Sequence, residues 1–540
     1  MFENPLVPVA TALGVSLSQL TMIVLFFVSI PLSLVFPFLP STPKSLAVYL
    51  YSFFPAIWYL WTLGLVDGFF QLLFSALVSY VIIRVGLAYK VGRIMPWSVF
   101  IIVMGHLLVV HTIGYRRGLD NNVIDVVGAQ MVLVMKLISF AWSCYDGSIP
   151  LESLDAQQTS TRITVVPSLI AFLGYIFYFP SILAGPSFAY TSYESFTSHA
   201  LWIKETGYPA PENPLTDSRG FLPAGRKRKA LKRGLVGVVF LGLYSVYGHQ
   251  FSYNTLLTSK LQAQSFINRF VFLNIAGYVA RFKYFAVWCL AESAYILSGL
   301  GYNPKTSKYD ASRNVRIRSI LFAPNFKILL DAWNINTNIW LRECIYKRLV
   351  RKGRKPGFWA TQATFATSAI WHGVNPCYLM TFILGGFCQS TGRKLRKHVR
   401  PLFLAAIPIS QDSPTTSEPP KSFIKSVYDI ICIINTQIVL NFIVAPFLIL
   451  TSSGSIEAWR TVNWYGIYLI FGPFLFFAAG GGKLLELFNK PAAPIKEPLS
   501  RKDLLRVEKQ MRRDESSQGL ASLGMDVERL VTDESKAKSQ

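Results

Sequence analysis

The 540-residue chain is 52% hydrophobic and 14% aromatic, with only 15% charged residues and a mean hydropathy of +0.37. A soluble protein carries roughly a quarter charged residues, so composition overrides the several soluble domains that the length alone would suggest. The net charge of +24 falls in short clusters between apolar runs, with no recognisable binding module, which argues against nucleic acid as a partner.

Apolar runs of about 20 residues, enough to cross a hydrocarbon core roughly 30 Å thick, predict an all-α polytopic membrane protein. The first, 11–39, is interrupted by Pro31 and Pro37. It has no basic n-region and no small-residue cleavage site, so it is expected to be a retained helix rather than a signal peptide. Runs at 45–63 and 69–89 follow. The run at 97–115 carries His106 and His111, five positions apart and so poorly placed to share a helical face, which suggests structural roles. The 123–143 run contains Asp125, Gln130 and Lys136; a lone lysine there must find a buried partner or snorkel to an interface. After a polar loop at 148–161, a span over 163–182 leads into the breaker Ala184-Gly185-Pro186.

Residues 191–233 read as an aqueous loop ending in the basic patch Arg226 to Arg233, and 234–247 as a shorter span. Between 266 and 300 two apolar stretches are separated by Arg281-Phe282-Lys283. In the second, Tyr284, Trp288, Ala291 and Tyr295 share a face that suits helix packing or a substrate wall. Glu292 beside them needs a partner, which Arg281 or Lys283 could supply only if the chain folds back.

The stretch from 332 to 373 carries the polar groups that the flanking sequence least explains. Asp331, Asn334, Asn338 and Arg342 recur at spacings that form one polar helical face, with Trp333 and Trp340 together on another. An amphipathic interfacial helix would show the same pattern. A basic turn at 351–357 and an apolar run at 358–370 then deliver Trp371-His372-Gly373. A lone histidine at a helix end is often a packing residue, but glycine directly after it leaves room for another backbone or a substrate chain.

Beyond this point, 377–389 is too short to span alone, 408–421 is a Ser/Pro/Thr-rich loop, and 424–450 and 462–479 are the last spans. This gives about eleven transmembrane or re-entrant elements, with residues 1–485 as the membrane-embedded core and 486–540 as a charged tail. The basic clusters suit cytosolic loops under the positive-inside rule; a sharper reading compatible with it is an electrostatic funnel for a polyanionic cofactor or anionic headgroups. Six cysteines without C-x-x-C spacing indicate neither a metal site nor a disulfide framework. Lys536 and Lys538, fifth and third from the end, match a dilysine retrieval signal read by coat proteins. They point to a multi-pass protein of the endoplasmic reticulum membrane with a cytosolic C-terminus.

WHG at 371–373, the WNxNTNxWLR run from Trp333, and RFKYFAVWCLAESAYILSGLGYN at 281–303 resemble the membrane-bound O-acyltransferase family. DVVGAQMVLVMKLISFAWSCYDG at 125–147 and FYFPSILAGPSF at 177–188 are similar to its fungal lysophospholipid acyltransferases. The resemblance spans about 46–479 and departs from the family's WHGxxxGY at Cys377, where glycine is usual. It implies transfer of a fatty acyl group from acyl-CoA to the free hydroxyl of a lysophospholipid, with acyl-CoA as co-substrate, no permanently bound cofactor and no metal. His372 matches the catalytic histidine and Asn334 the catalytic asparagine. Asn338, Trp333, Trp371, Gly373, Glu292 and Tyr378 are expected to support them. Lys327, Arg342, Lys347 and Arg348, in the basic segments 313–327 and 347–355 or between them, are expected to hold the CoA phosphates. Open alternatives are another acceptor (a sterol, diacylglycerol or a protein) and a lipid transporter, although the paired broken helices of transporters are not found.

Overall fold

The computed structural model describes residues 5–13, 15–40, 46–118, 124–202, 222–350, 357–403 and 423–488. Residues 1–403 and 421–481 form one compact unit; the other comprises 404–420 and 482–540, of which only 482–488 are described. Among the described residues the architecture is helical, with one isolated bridge between Asn303 and Lys308. In an apolar surrounding a backbone must satisfy its own polar groups, and helices do so within one segment.

The first half comprises α1 (Leu17–Ser33), α2 (Leu46–Thr62), α3 (Val66–Ala88), α4 (Ile94–Arg116) and α5 (Val127–Gly147). The single span expected over 163–182 is instead two short helices, α6 (Leu169–Ile176) and α7 (Phe179–Ile182). Lys136 accounts for the break. Its buried ammonium donates to the carbonyls of Tyr175 (2.9 Å) and Ile176 (3.1 Å) and to Ser181 Oγ (2.7 Å), so it caps the last turn of α6. A cation there also meets the negative end of the helix dipole. The lysine therefore has an internal partner, made of carbonyls rather than a carboxylate. Tyr175, Phe177, Tyr178, Phe179 and Tyr193, all buried, pack around this break.

The second half begins with α8 (Arg226–Tyr247), which starts within the basic patch and is longer than the expected short span. The 191–233 segment is thus not all loop, since Tyr190–Thr197 is also helical. Arg281-Phe282-Lys283 does not separate two stretches: α9 runs unbroken over Phe266–Ser298. Arg281 stays inside that helix because two buried amides on α14 (Phe423–Ile443) receive it, Gln437 Oε1 at 2.7 Å and Asn441 Oδ1. Glu292 pairs with Arg233 of α8 and with Arg313 (3.7 Å), not with Arg281 or Lys283. On a straight helix Arg281 lies about 16 Å from Glu292 along the axis, too far to pair.

The helical face expected from Asp331 to Arg342 is broken. α10 (Phe326–Ala332) ends, the chain reverses hand at Asn334 (φ +42°), and α11 (Ile335–Trp340) begins, followed by a π-helical turn, Leu341–Tyr346. Trp333 and Trp340 consequently part company: Trp333 packs on Tyr284 and Trp288, and Trp340 on Trp371. α12 (Phe358–His372) and α13 (Pro376–His398) follow, and α13 is well beyond the short run expected at 377–389. After α14 come α15 (Ala445–Ile449), α16 (Ser452–Thr461) and α17 (Tyr465–Ala478), the last two bent by 85°. Seven described helices are long and apolar enough to cross a membrane, or eight if the bent pair is one span. The expected eleven also counted short and broken helices. The 408–421 loop, the tail beyond 488, Lys536 and Lys538 lie outside the described residues.

Lys136→Met should lower the unfolding midpoint of the detergent-solubilised protein, at a cost on the order of 3 kcal/mol for the acceptors left without a donor. A midpoint equal to wild type would show that the lysine does not hold the α6–α7 break.

Candidate active site

α9, α10, α11, α12, α13, α14 and α15 surround a cavity of about 520 Å³. His372 and Asn334 both line it, although they stand on different helices. Its walls are mostly apolar, with Tyr284, Trp288 and Trp333 on one side and Phe382 and Phe447 on another.

His372 is the last residue of α12, and the chain leaves the helix at Gly373 with φ +142° and ψ −175°. That backbone region is essentially restricted to glycine. The space is tight as well, because a Cβ on Gly373 would meet Tyr378 Cε2 at 3.0 Å and His111 Nδ1 at 3.2 Å. The imidazole stacks on Phe382 (5.1 Å between ring centres) and meets Phe447 (5.0 Å) and Trp371 (4.7 Å) edge-on. Among the described residues its ring nitrogens have no hydrogen-bond partner. They remain available to whatever enters the cavity.

Trp371 is buried, and its indole N–H donates to the Met131 carbonyl (3.0 Å), which anchors the end of α12 to α5. Nε2 of His111 on α4 contacts the Trp371 carbonyl at 3.3 Å. His106 instead bonds Ser75 Oγ at 2.7 Å. Both histidines are thus structural, but His111 braces the backbone next to His372. Cys377 sits buried with its thiol 3.6 Å from Ser455 Oγ, so the fold has room for a side chain at this position.

The two asparagines, equivalent by spacing, differ in what their amides do. Asn338 Nδ2 donates to the Leu330 carbonyl (3.1 Å) and to Asp331 Oδ1 (3.2 Å), tying α11 back to the end of α10. Asn334 Oδ1 accepts from Asn314 Nδ2 (3.1 Å) and Thr337 Oγ1 (2.9 Å). No described residue accepts from Asn334 Nδ2, so an amide donor is left facing the cavity. Asparagine tolerates the left-handed backbone here better than most residues.

The remaining expected site residues divide. Asn338, Trp333, Lys327 and Arg342 line the cavity; Trp371, Gly373 and Tyr378 pack behind His372; Glu292, Lys347 and Arg348 lie elsewhere. Arg348 clamps Asp146 through two bonds of 2.8 and 2.6 Å, while Lys347 bridges Asp155 and Glu343. Lys327 and Arg342 are themselves paired, with Asp331 and Glu343, but are largely exposed. Arg393 was not singled out by sequence because it reads as one of a loop cluster. It lines the cavity from α13, and among the described residues its guanidinium bonds only hydroxyls, Thr361 (2.9 Å), Ser390 (3.3 Å) and Tyr346 (3.5 Å). Asn314 carries no sequence signal at all, since it lies in an irregular segment without periodicity.

The model of the membrane-bound O-acyltransferase family matches residues 121–413. The chain is 34% identical to a lysophospholipid acyltransferase of Schizosaccharomyces pombe, over 91% of this chain and 90% of that one. It is also 34% identical to a lysophospholipid acyltransferase of Saccharomyces cerevisiae, over 79% and 69% respectively. With a membrane-bound glycerophospholipid O-acyltransferase of Rattus norvegicus it shares 29% identity, over 75% and 74%.

The backbone at the end of α12 is testable without any activity. Gly373→Ala should cost about 1–3 kcal/mol in backbone strain and lower the unfolding midpoint. Gly472→Ala, where an added Cβ meets nothing within 4 Å, should not. Equal midpoints for the two variants would contradict the strained geometry.

Proposed function

Because the chain belongs to the membrane-bound O-acyltransferase family, we propose that it transfers a fatty acyl group from acyl-CoA to the free hydroxyl of a lysophospholipid. The observation that carries this reading is the single cavity lined by both His372 and Asn334, apolar along its walls and bearing exposed cations. The relatives' names specify lysophospholipid and glycerophospholipid chemistry, which favours that acceptor over a sterol, diacylglycerol or a protein.

A lipid alcohol is a poor nucleophile at neutral pH, and a neutral imidazole can take its proton during attack. The acceptor oxygen bonds to the thioester carbonyl carbon as its proton passes to a ring nitrogen of His372. The carbonyl electron pair moves onto oxygen, where an amide N–H of Asn334 can donate to the developing charge. Collapse breaks the C–S bond, and the CoA thiolate takes the proton from the imidazolium. Ester and free thiol leave, and both residues return to their starting states. Ser368 lines the cavity one turn before His372, but no hydrogen bond joins the two among the described residues, so direct transfer is preferred to an acyl-enzyme. Lys327, Arg342 and Arg393 supply positive charge for the CoA phosphates, while Lys347 and Arg348 are engaged by carboxylates. The terminal lysines Lys536 and Lys538 support residence in the endoplasmic reticulum membrane with the C-terminus in the cytosol.

Purified protein given labelled oleoyl-CoA and a panel of acceptors should acylate lysophosphatidylcholine or another lysophospholipid. Product from diacylglycerol or a sterol alone would refute this assignment. His372→Ala should lower turnover by about 10²–10⁴-fold, and a fully active, folded variant would remove the general base. Arg393→Ala should raise the KM for acyl-CoA with little change in kcat; an unchanged KM would take Arg393 out of the CoA site. Intact mass after incubation with oleoyl-CoA alone should show no acyl adduct, and a stable adduct would argue for a covalent intermediate. Replacing Lys536 and Lys538 by serine should shift a tagged protein out of the endoplasmic reticulum, and an unchanged distribution would discard the retrieval signal.

A further inference from the structure

We infer that Asn314 decides which end of the Asn334 carboxamide meets the substrate, and that the end presented is the NH2. One group beside this pair cannot be reversed. The backbone N–H of Asn336 is an obligatory donor, and it bonds the side-chain oxygen of Asn314 at 3.1 Å. Turning the Asn314 amide around would set NH2 against N–H. Its oxygen is therefore held toward Asn336, where the Asn336 side-chain amide also donates to it at 3.1 Å, and its NH2 is held toward Asn334.

That NH2 lies 3.1 Å from Asn334 Oδ1. A donor facing the Asn334 side chain requires the carbonyl of Asn334 to face it, which leaves the Asn334 NH2 pointing the other way, into the cavity. Thr337 does not make this choice, because its hydroxyl can donate or accept and lies 3.3 Å from Met135 Sδ as an alternative acceptor. Asn314 does make it. It is buried at 2% exposure, and its backbone is fixed by a bond from Ile335 N–H to its carbonyl at 3.0 Å. The pair thus forms a relay, backbone N–H to Asn314 to Asn334, that stores a donor orientation before any substrate arrives.

The chemical consequence rests on the acyl-transfer reading. An asparagine could serve either as an acceptor that orients the imidazole N–H or as a donor to the carbonyl oxygen on which charge develops. The relay selects the second role. Donors fixed in advance at the site of developing charge need no reorganisation during the reaction. Asn314 is then a positioning residue, acting on turnover through Asn334 without touching the substrate.

The experiment compares kcat and KM for oleoyl-CoA and lysophosphatidylcholine in reconstituted full-length wild type, Asn314→Asp, Asn334→Asp and the double variant. Aspartate at 314 still accepts from Asn336 but cannot donate to Asn334, so the Asn334 amide reverses and offers its carbonyl to the cavity. Asn314→Asp should lose about 10²–10³-fold in kcat, the usual effect of removing one such donor, with both KM values within about threefold. The double variant should be no worse than the poorer single one, as expected when one residue acts through the other. Wild-type turnover in Asn314→Asp, or losses that multiply in the double variant, would overturn the relay. If Asn314→Asp does not fold, Asn334→Asp decides alone. It keeps both internal acceptor contacts and replaces only the cavity-facing NH2, so a role as acceptor would survive or gain, whereas the donor role predicts the loss above. Wild-type protein that acylates no lysophospholipid would remove the functional reading and the relay's chemistry with it, an outcome distinct from active wild type beside active Asn314→Asp.

Discussion

Backbone that leaves a helix within an apolar bundle must find hydrogen-bond partners there, since no water is at hand. Breaks in both halves of this fold are arranged around that constraint. At the α10–α11 break, Asn338 donates to the Leu330 carbonyl and Asn314 accepts from the Asn336 N–H. At the end of α15, where Leu450 adopts φ +61°, Asn375 Nδ2 donates to the Leu450 carbonyl at 2.8 Å while its oxygen caps α13 through Cys377 N–H at 2.9 Å. At the α6–α7 break the same task falls to Lys136. Each break places irregular backbone among buried side chains, and two of the three adjoin the cavity.

The break at Asn334 joins this constraint to chemistry. In a continuous helix the side chain of Asn334 would have been one of a row, with its amide free to turn. The left-handed residue instead hands the chain from one short helix to the next and sets the carboxamide against Asn314 and Thr337. What stabilises the turn therefore also fixes the amide. The other half of the site is built differently. His372 is carried by a regular helix to its last residue, and a glycine-only conformation then removes the chain so that rings and cavity can close on the imidazole.

Much of this was legible in the sequence, and the limits follow a pattern. Apolar runs located most of the long helices because hydrocarbon selects composition directly. Breaks and continuities leave no such mark, because both depend on partners far away in the chain. Arg281 resembled a boundary, yet Gln437 and Asn441, more than 150 positions later, keep it inside α9. The 163–182 run looked continuous, yet Lys136 stabilises its interruption. Asn334 and Asn338 were equivalent by spacing, and only their neighbours separate a bonded amide from an open one. Nor does spacing show that Arg348 and Lys347 meet Asp146 and Asp155, some 200 positions earlier, outside the cavity lining.

The charges that remain at the cavity are consistent with a substrate that is anionic at one end and apolar over the rest. Arg281 is buried and matched by neutral amides rather than a carboxylate, so it keeps its positive potential without drawing in a counter-ion. Among the described residues Arg393 is matched only by hydroxyls. Lys327 and Arg342 are paired but exposed, where pairing is worth roughly 0–1 kcal/mol and can be exchanged for a phosphate. An acyl thioester drawn to these groups by its nucleotide end would lay its chain along the aromatic walls. Its carbonyl would then fall where the apolar surroundings penalise a bare oxyanion most and where a fixed amide donor matters most. The apolar setting that makes a misplaced polar group costly is the same one that makes a correctly held one effective, so on the proposed acyl-transfer reading the positional control of Asn334 and His372, rather than their chemical identity alone, would set what the cavity can do.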